Sequence, residues 1–133
     1  MYLLDTNIIS EIAKNPDGLA ARRFAALPGD DLCTSIVVSA EVLFGFENGV
    51  GERTRKAMTA VLDALRILSL EPPVDKVYAD TRAAMSRVGK AVTPNDMFIA
   101  AHALAIGATI VTDDQAFRFV PGLKVENWLL PQP

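Results

Sequence analysis

Four short stretches put a carboxylate where the surrounding residues call for burial. Tyr2-Leu3-Leu4-Asp5-Thr6-Asn7 runs three apolar residues straight into an aspartate and two small polar residues. Ser39-Ala40-Glu41-Val42 sets a glutamate among valine, leucine and phenylalanine. Thr93-Pro94-Asn95-Asp96 and Val111-Thr112-Asp113-Asp114 bring further aspartates to the edges of apolar runs. A buried carboxylate is costly unless it is paired or holds a cation. Mg²⁺ and Mn²⁺ are hard cations that take carboxylate oxygens and water, with no need of His or Cys. Such an ion polarises a phosphoryl oxygen and lowers the pKa of a water. Asp5, Glu41, Asp96 and Asp114 are therefore candidate metal-binding and catalytic acids. Thr6, Asn7 and Thr112 are candidates to hold carboxylates or waters around them.

Each acid also has an ordinary reading. Asp5 can cap a helix. Asp96 suits the third position of a capping box. Asp113-Asp114 can form a turn, and Glu41 can snorkel from the edge of an apolar face. Those readings leave unexplained why all four fall at one edge of the expected fold.

The elements that would bring them there are legible. Short buried strands are expected at Met1–Leu4, Leu32–Thr34, Ile67–Leu70 and Thr109–Thr112, with a possible edge strand at Leu123–Val125. Helices are expected from Asp5 or Thr6 through Ala13, over Leu19–Leu27 with Arg22 and Arg23 on the wet side, and from a Ser35 cap to about Asn48. Others should cover Gly51–Leu68, Val74–Val88, and the segment from a Thr93 cap with Pro94 at its first position to Ile106 before Gly107. Trp128 should anchor the tail ending in Pro131-Gln132-Pro133. Strands alternating with helices predict an α/β chain: a mostly parallel sheet covered on both faces. Such sheets place their sites at the carboxyl ends of the strands. Asp5 and Asp113-Asp114 follow strands, and Glu41 and Asp96 lie near helix starts beside the same edge.

Composition sets outer limits. The 133 residues predict a single domain over 1–133, and half are hydrophobic while 22% are charged. The net charge of −3 offers no global attraction to nucleic acid or to an anionic membrane. A polyanionic substrate then needs a bound cation or a local basic patch, for which Arg22, Arg23, Arg53, Arg55, Lys56, Arg82, Arg87 and Lys90 are the candidates. Cys33, the single cysteine, allows no disulfide and no thiolate zinc site, and reads as a core residue. His102, the single histidine, lies six residues after Asp96 and reads as packed rather than as a ligand. No segment fits a signal peptide or a membrane span, so a reduced, cytoplasmic protein is expected. Gly-rich phosphate loops and nucleophile elbows are missing from the sequence.

The stretches Leu4-Asp5-Thr6-Asn7-Ile8-Ile9-Ser10-Glu11, Ser39-Ala40-Glu41-Val42, Asn95-Asp96-Met97-Phe98-Ile99-Ala100-Ala101-His102-Ala103, Val111-Thr112-Asp113-Asp114 and Val120-Pro121-Gly122-Leu123-Lys124-Val125-Glu126-Asn127-Trp128 together resemble the PIN-domain ribonucleases. In particular they resemble the VapC toxins of toxin–antitoxin pairs, in their FitB-like branch. The resemblance implies a three-layer α/β/α sandwich and Mg²⁺- or Mn²⁺-dependent endonucleolytic cleavage of RNA, often a tRNA. It implies Asp5, Glu41 and Asp96 as the best-defined metal-binding acids. Asp114 is the first choice for a fourth, with Asp113 as the alternative. Many relatives carry an acid just before the residue matching Phe117, where this chain has Ala116. A homodimer silenced by a VapB-like antitoxin is implied as well.

Other classes fit less well. A catalytically inactive RNA- or protein-binding module on the same fold would have no need of all four acids. A phospho-accepting receiver domain needs an aspartate ending a central strand and a lysine ending a later one, and Leu32-Cys33-Thr34-Ser35 and Leu68-Ser69-Leu70-Glu71 supply no aspartate. A phosphatase with an aspartyl nucleophile would want an acid where Asn7 stands.

Overall fold

Leu3 and Leu4, consecutive in the first strand, are both fully buried, so both faces of the sheet are covered, as in parallel α/β folds. The computed structural model describes residues 1–132, and Pro133 lies outside the described residues. Five strands, β1 (Tyr2–Leu4), β2 (Leu32–Ser35), β3 (Arg66–Leu68), β4 (Thr109–Val111) and β5 (Val125–Glu126), form one sheet in the order β3-β2-β1-β4-β5. Every pairing is parallel, so the expected mostly parallel sheet is wholly so. Six helices flank it: α1 (Thr6–Lys14), α2 (Leu19–Ala26), α3 (Ile36–Glu47), α4 (Glu52–Asp63), α5 (Val74–Arg87) and α6 (Pro94–Ile106). α1 packs against α2 and α4, α5 packs against α6, and α3 touches both α1 and α6. The result is a PIN-like α/β/α sandwich.

The chain adds strands in one direction from β1 through β2 to β3, then returns to add β4 and β5 on the other side of β1. The strand order therefore reverses between β1 and β4, and in open α/β sheets a crevice opens there beyond the carboxyl ends. Asp5 follows β1 and Thr112 follows β4, so the sequence delivers both to that crevice.

Local signals set most helix ends. The Asp5, Ser35 and Thr93 side chains each accept a hydrogen bond from a first-turn backbone amide and so cap α1, α3 and α6. Gly107 ends α6 at φ 69°, a left-handed conformation. On α3 the residues Val38, Val42 and Phe46 recur every four positions on the buried side, while Leu43 and Phe44 on the opposite side are exposed.

Three expectations need correction. The helix expected over Gly51–Leu68 stops at Asp63, because Arg66–Leu68 pairs with Cys33–Ser35 as β3. Leucines at helical spacing satisfied both readings, and strand pairing decided between them. The last strand is Val125–Glu126 rather than Leu123–Val125, a register fixed by Ile110 N donating to Lys124 O and Thr112 N donating to Glu126 O. Arg23 is half-buried rather than wet, lying over the rings of Tyr2 and Trp128. Trp128 does anchor the tail, buried edge-on against Tyr2 at 5.4 Å between centroids. Among the described residues no helix is long and apolar enough to cross a membrane.

Gly45 lies within α3 and Gly107 ends α6, and a Cβ built on either meets nothing within 4 Å. Backbone conformation alone then decides each substitution. Gly45→Ala should stabilise the chain by about 0.5–1 kcal/mol, and Gly107→Ala, at its positive φ, should destabilise it by about 1–2 kcal/mol. Urea denaturation checks the pair, and shifts of the same sign would contradict this account.

Candidate active site

Asp5 is buried at the point where β1 becomes α1. Its Oδ1 accepts from the Thr6 amide at 2.8 Å. Its Oδ2 accepts from the Thr112 hydroxyl at 2.9 Å and from Asn7 Nδ2 at 3.2 Å. Its backbone amide donates to Val111 O at 3.0 Å, which ties β1 to β4 at the crevice. Thr112 and Asn7 extend the network. Asn7 Nδ2 also donates to Thr112 Oγ1 at 3.2 Å, and Asn7 Oδ1 accepts from the Asp113 amide at 3.1 Å. Thr112 Oγ1 accepts from the Asp114 amide at 3.1 Å. The side chains that follow β1 thus shape the loop that follows β4.

Glu41 sits one turn into α3, half-buried, and its Oε1 accepts from the Thr6 hydroxyl at 3.2 Å. Asp96 is half-buried in the first turn of α6, where its amide donates to the capping Thr93 hydroxyl at 3.2 Å. Asp114 caps a short 3-10 helix, Gln115–Phe119, through Oδ1 and the Ala116 amide at 2.9 Å. Asp113 is exposed and joins the network through its backbone amide alone.

The acids share one electrostatic field. Burial pushes the Asp5 carboxyl up to about 6, against the bonds from Thr6 and Thr112 that lower it, and the charges of Asp96 and Glu41 add to the rise. Burial also raises Glu41, with the Thr6 bond opposing and Asp96 repelling. Asp96 is raised first by burial and then by the charge of Asp114. Asp5, Glu41, Asp96 and Asp114 are thereby linked by mutual repulsion, with no lysine or arginine among the causes. Among the described residues, no three His, Cys, Asp or Glu side chains stand close enough together to hold an ion as they are.

A family model described as PIN domain matches residues 2–123. The chain belongs to the PIN-domain family. Ribonuclease VapC2 of Haemophilus influenzae is 32% identical over 130 residues, a match covering 96% of this chain and 98% of that protein. The tRNA(fMet)-specific endonuclease VapC of Shigella flexneri is 31% identical over 129 residues, covering 96% and 97%. Solved structures agree. VapBC2 from Rickettsia felis, bound to a DNA fragment from its promoter, is similar at a TM-score of 0.86 and 27% identity, covering 96% of this chain and 98% of that one. FitAcB from Neisseria gonorrhoeae is similar at a TM-score of 0.83 and 28% identity, covering 96% and 98%. Among PIN domains the chain groups with the VapC ribonucleases.

In this PIN domain the other singled-out residues lie away from the acids or are spent on packing. His102 is buried, with Nδ1 at 2.8 Å from Ser35 Oγ, and burial lowers its pKa. Cys33 is buried in β2, and desolvation raises its thiol to about 11, an unreactive state. Arg53 lines a hollow with Lys14, at the end of α1 remote from Asp5. Arg82 lies over Tyr78 and Arg55 over Phe46. Two cationic side chains border the helix after Asp114. Lys90 sits 4.4 Å from the Phe119 ring centroid, and Arg118 belongs to that helix. The sequence reading singled out Lys90 and passed over Arg118, whose only signal was its place four residues after Asp114.

The raised carboxyl of Asp5 has a signed consequence. Between pH 3.8 and about 6 the folded chain holds a proton on Asp5 that the unfolded chain has lost. Its contribution to stability therefore falls as pH rises through that window, by about 3 kcal/mol at most. Without added metal, the denaturation free energy of Asp5→Asn should gain on that of wild type as pH goes from 4 to 7. A difference that stays flat across that range would show that Asp5 titrates normally.

Proposed function

We propose that this chain is the toxin of a VapBC-type toxin–antitoxin pair, an endoribonuclease that hydrolyses RNA phosphodiester bonds and so arrests translation in the cytoplasm. The observation that carries this reading is the set of mutually repelling carboxylates at the strand-order reversal of a chain 32% identical to a VapC ribonuclease. The tRNA(fMet)-specific relative makes tRNA the first substrate to try. The VapBC and FitAcB structures support a VapB-like antitoxin partner, and a homodimer is expected for the toxin.

The donor set fits Mg²⁺ or Mn²⁺. It is all oxygen, the carboxyls are raised, and neither histidine nor cysteine faces it. Asp5, Glu41 and Asp96 would hold the ion, with Asp114 as the fourth acid because its charge is the one Asp96 feels. Bound there, a divalent cation supplies the positive charge that offsets charge developing on a phosphodiester and acidifies a water.

The chain's own residues do the positioning. Asp5 is fixed by three donors, so its unused lone pair has a defined direction. Thr6 orients Glu41 toward the same crevice, and Thr93 sets the first turn of α6 that carries Asp96. Thr112 and Asn7 hold the backbone that places Asp114. Removing any one carboxyl weakens a site that depends on several charges converging.

Asp5→Asn and Asp96→Asn should each lower metal-dependent RNA cleavage by roughly a hundredfold or more, and excess EDTA should silence the wild type. Gel assays on total tRNA with Mg²⁺ or Mn²⁺ read this out, with circular dichroism confirming the fold. Cleavage surviving in EDTA or in both variants would sink the nuclease reading. RNA binding without cleavage in either metal would favour the inactive binding module instead.

A further inference from the structure

The guanidinium of Arg23, on α2, lies 5.9 Å from the ring centroids of both Tyr2 and Trp128. Its Nη2 donates to the Tyr2 hydroxyl at 3.4 Å, and its Nε is buried without a hydrogen-bond partner. An orphaned buried donor on a charged group is destabilising, and native chains carry few of them. Arg118 faces the same open hollow of about 460 Å³, together with Glu126, Asn127 and Gln132. Arg118 Nε donates to Gln115 Oε1 at 3.1 Å, and its terminal amino groups make no hydrogen bond among the described residues. Glu126 Oε1 is engaged by the Trp128 indole at 3.1 Å. Among the described residues the one ion pair is Lys76–Asp80, so within them neither arginine has a carboxylate partner. Among the described side chains that line it, the two arginines outweigh Glu126 by one positive charge, on a chain whose total is −3.

The hollow runs along the edge strand β5. Register pairs Leu4 with Val111 and Val111 with Glu126, so Glu126 is level with the residue before Asp5. β5 is two strands from β1, about 10 Å at ordinary strand spacing. Arg118 follows Asp114 by four residues. We propose that Arg23 and Arg118 form a phosphate subsite that takes a backbone phosphate of the RNA strand beside the one held at the acids. The planar guanidinium fork matches phosphate oxygens in pairs, and the terminal amino groups of the two arginines are the donors a phosphate in the hollow would meet. The assignment of RNA as the source of that phosphate rests on the nuclease reading. A strand of phosphates approaching a net-acidic chain needs fixed cations to the side of the acids, and this pair supplies them.

The test uses the full chain, with Arg118→Gln and with Arg23→Lys, which keeps the charge and stem but loses the fork. Titration with inorganic phosphate should shift the Arg23 Nε–H resonance saturably in wild type, and Arg118→Gln should abolish the shift. Binding of short single-stranded RNA in EDTA should weaken about tenfold in Arg118→Gln, uniformly across sequences, with the salt slope reduced by about one. No phosphate shift, or RNA affinity and salt slope unchanged in both variants, overturns the subsite. Unchanged RNA binding with weakened binding of an acidic peptide gives the hollow to a protein carboxylate and overturns it too. Wild-type failure to cleave RNA in Mg²⁺ and Mn²⁺ sinks the nuclease reading separately, because the phosphate titration still reports on the arginines.

Discussion

The structure depends on one carboxylate held where a carboxylate should not be. Asp5 is buried, close enough to Glu41 and Asp96 to feel both charges, and no cationic side chain is bonded to it. It is retained because the fold supplies three donors to it, from Thr6, Asn7 and Thr112. Those donors recover part of the hydration lost on burial, and the rest, with the repulsion of Asp96 and Glu41, raises the Asp5 pKa. The Thr112 bond, with those from Asn7 to Thr112 and from the Asp113 amide to Asn7, joins residues more than a hundred positions apart, so the polar centre also fastens β4 and its loop to β1. Structure and chemistry draw on the same side chains here.

The sheet makes this arrangement possible. Reversal of strand order between β1 and β4 leaves their carboxyl ends without a crossover on top of them. α1 begins there, and the capped start of α6 brings Asp96 alongside. α3 begins from β2, which puts Glu41 within reach of the Thr6 hydroxyl. Parallel strands send every loop of one kind to one edge, so four acids from four elements lie along that edge within range of one another's charge.

Much of this could be read from residues alone, for a physical reason. Apolar runs ending in polar residues marked strand ends, and capping residues marked helix starts, so Asp5, Ser35 and Thr93 fell where they were expected. Thr6, Asn7 and Thr112 were recognisable because small polar residues beside a buried acid have few other uses. The misreadings share another cause. Leu65 and Leu68 suit a helix face and a strand equally, and only the neighbouring β2 settled the matter. Arg23 was indistinguishable from a solvated arginine because Trp128, which covers it, is more than a hundred residues away. Local chemistry was legible, and long-range burial was not. Nor could spacing show how tightly the acids gather, which depends on side-chain rotamers and on whatever charge they enclose.

The Asp5 carboxylate carries about four lone-pair sites. Three are occupied in the structure, two on Oδ2 and one on Oδ1. The remaining lone pair on Oδ1 can take a proton when the group titrates, and on the proposed reading it can take a cation. The two are exclusive tenants of a single position. On the proposed nuclease reading, acidity in the surroundings therefore acts as a competitive antagonist of the cation at this one atom.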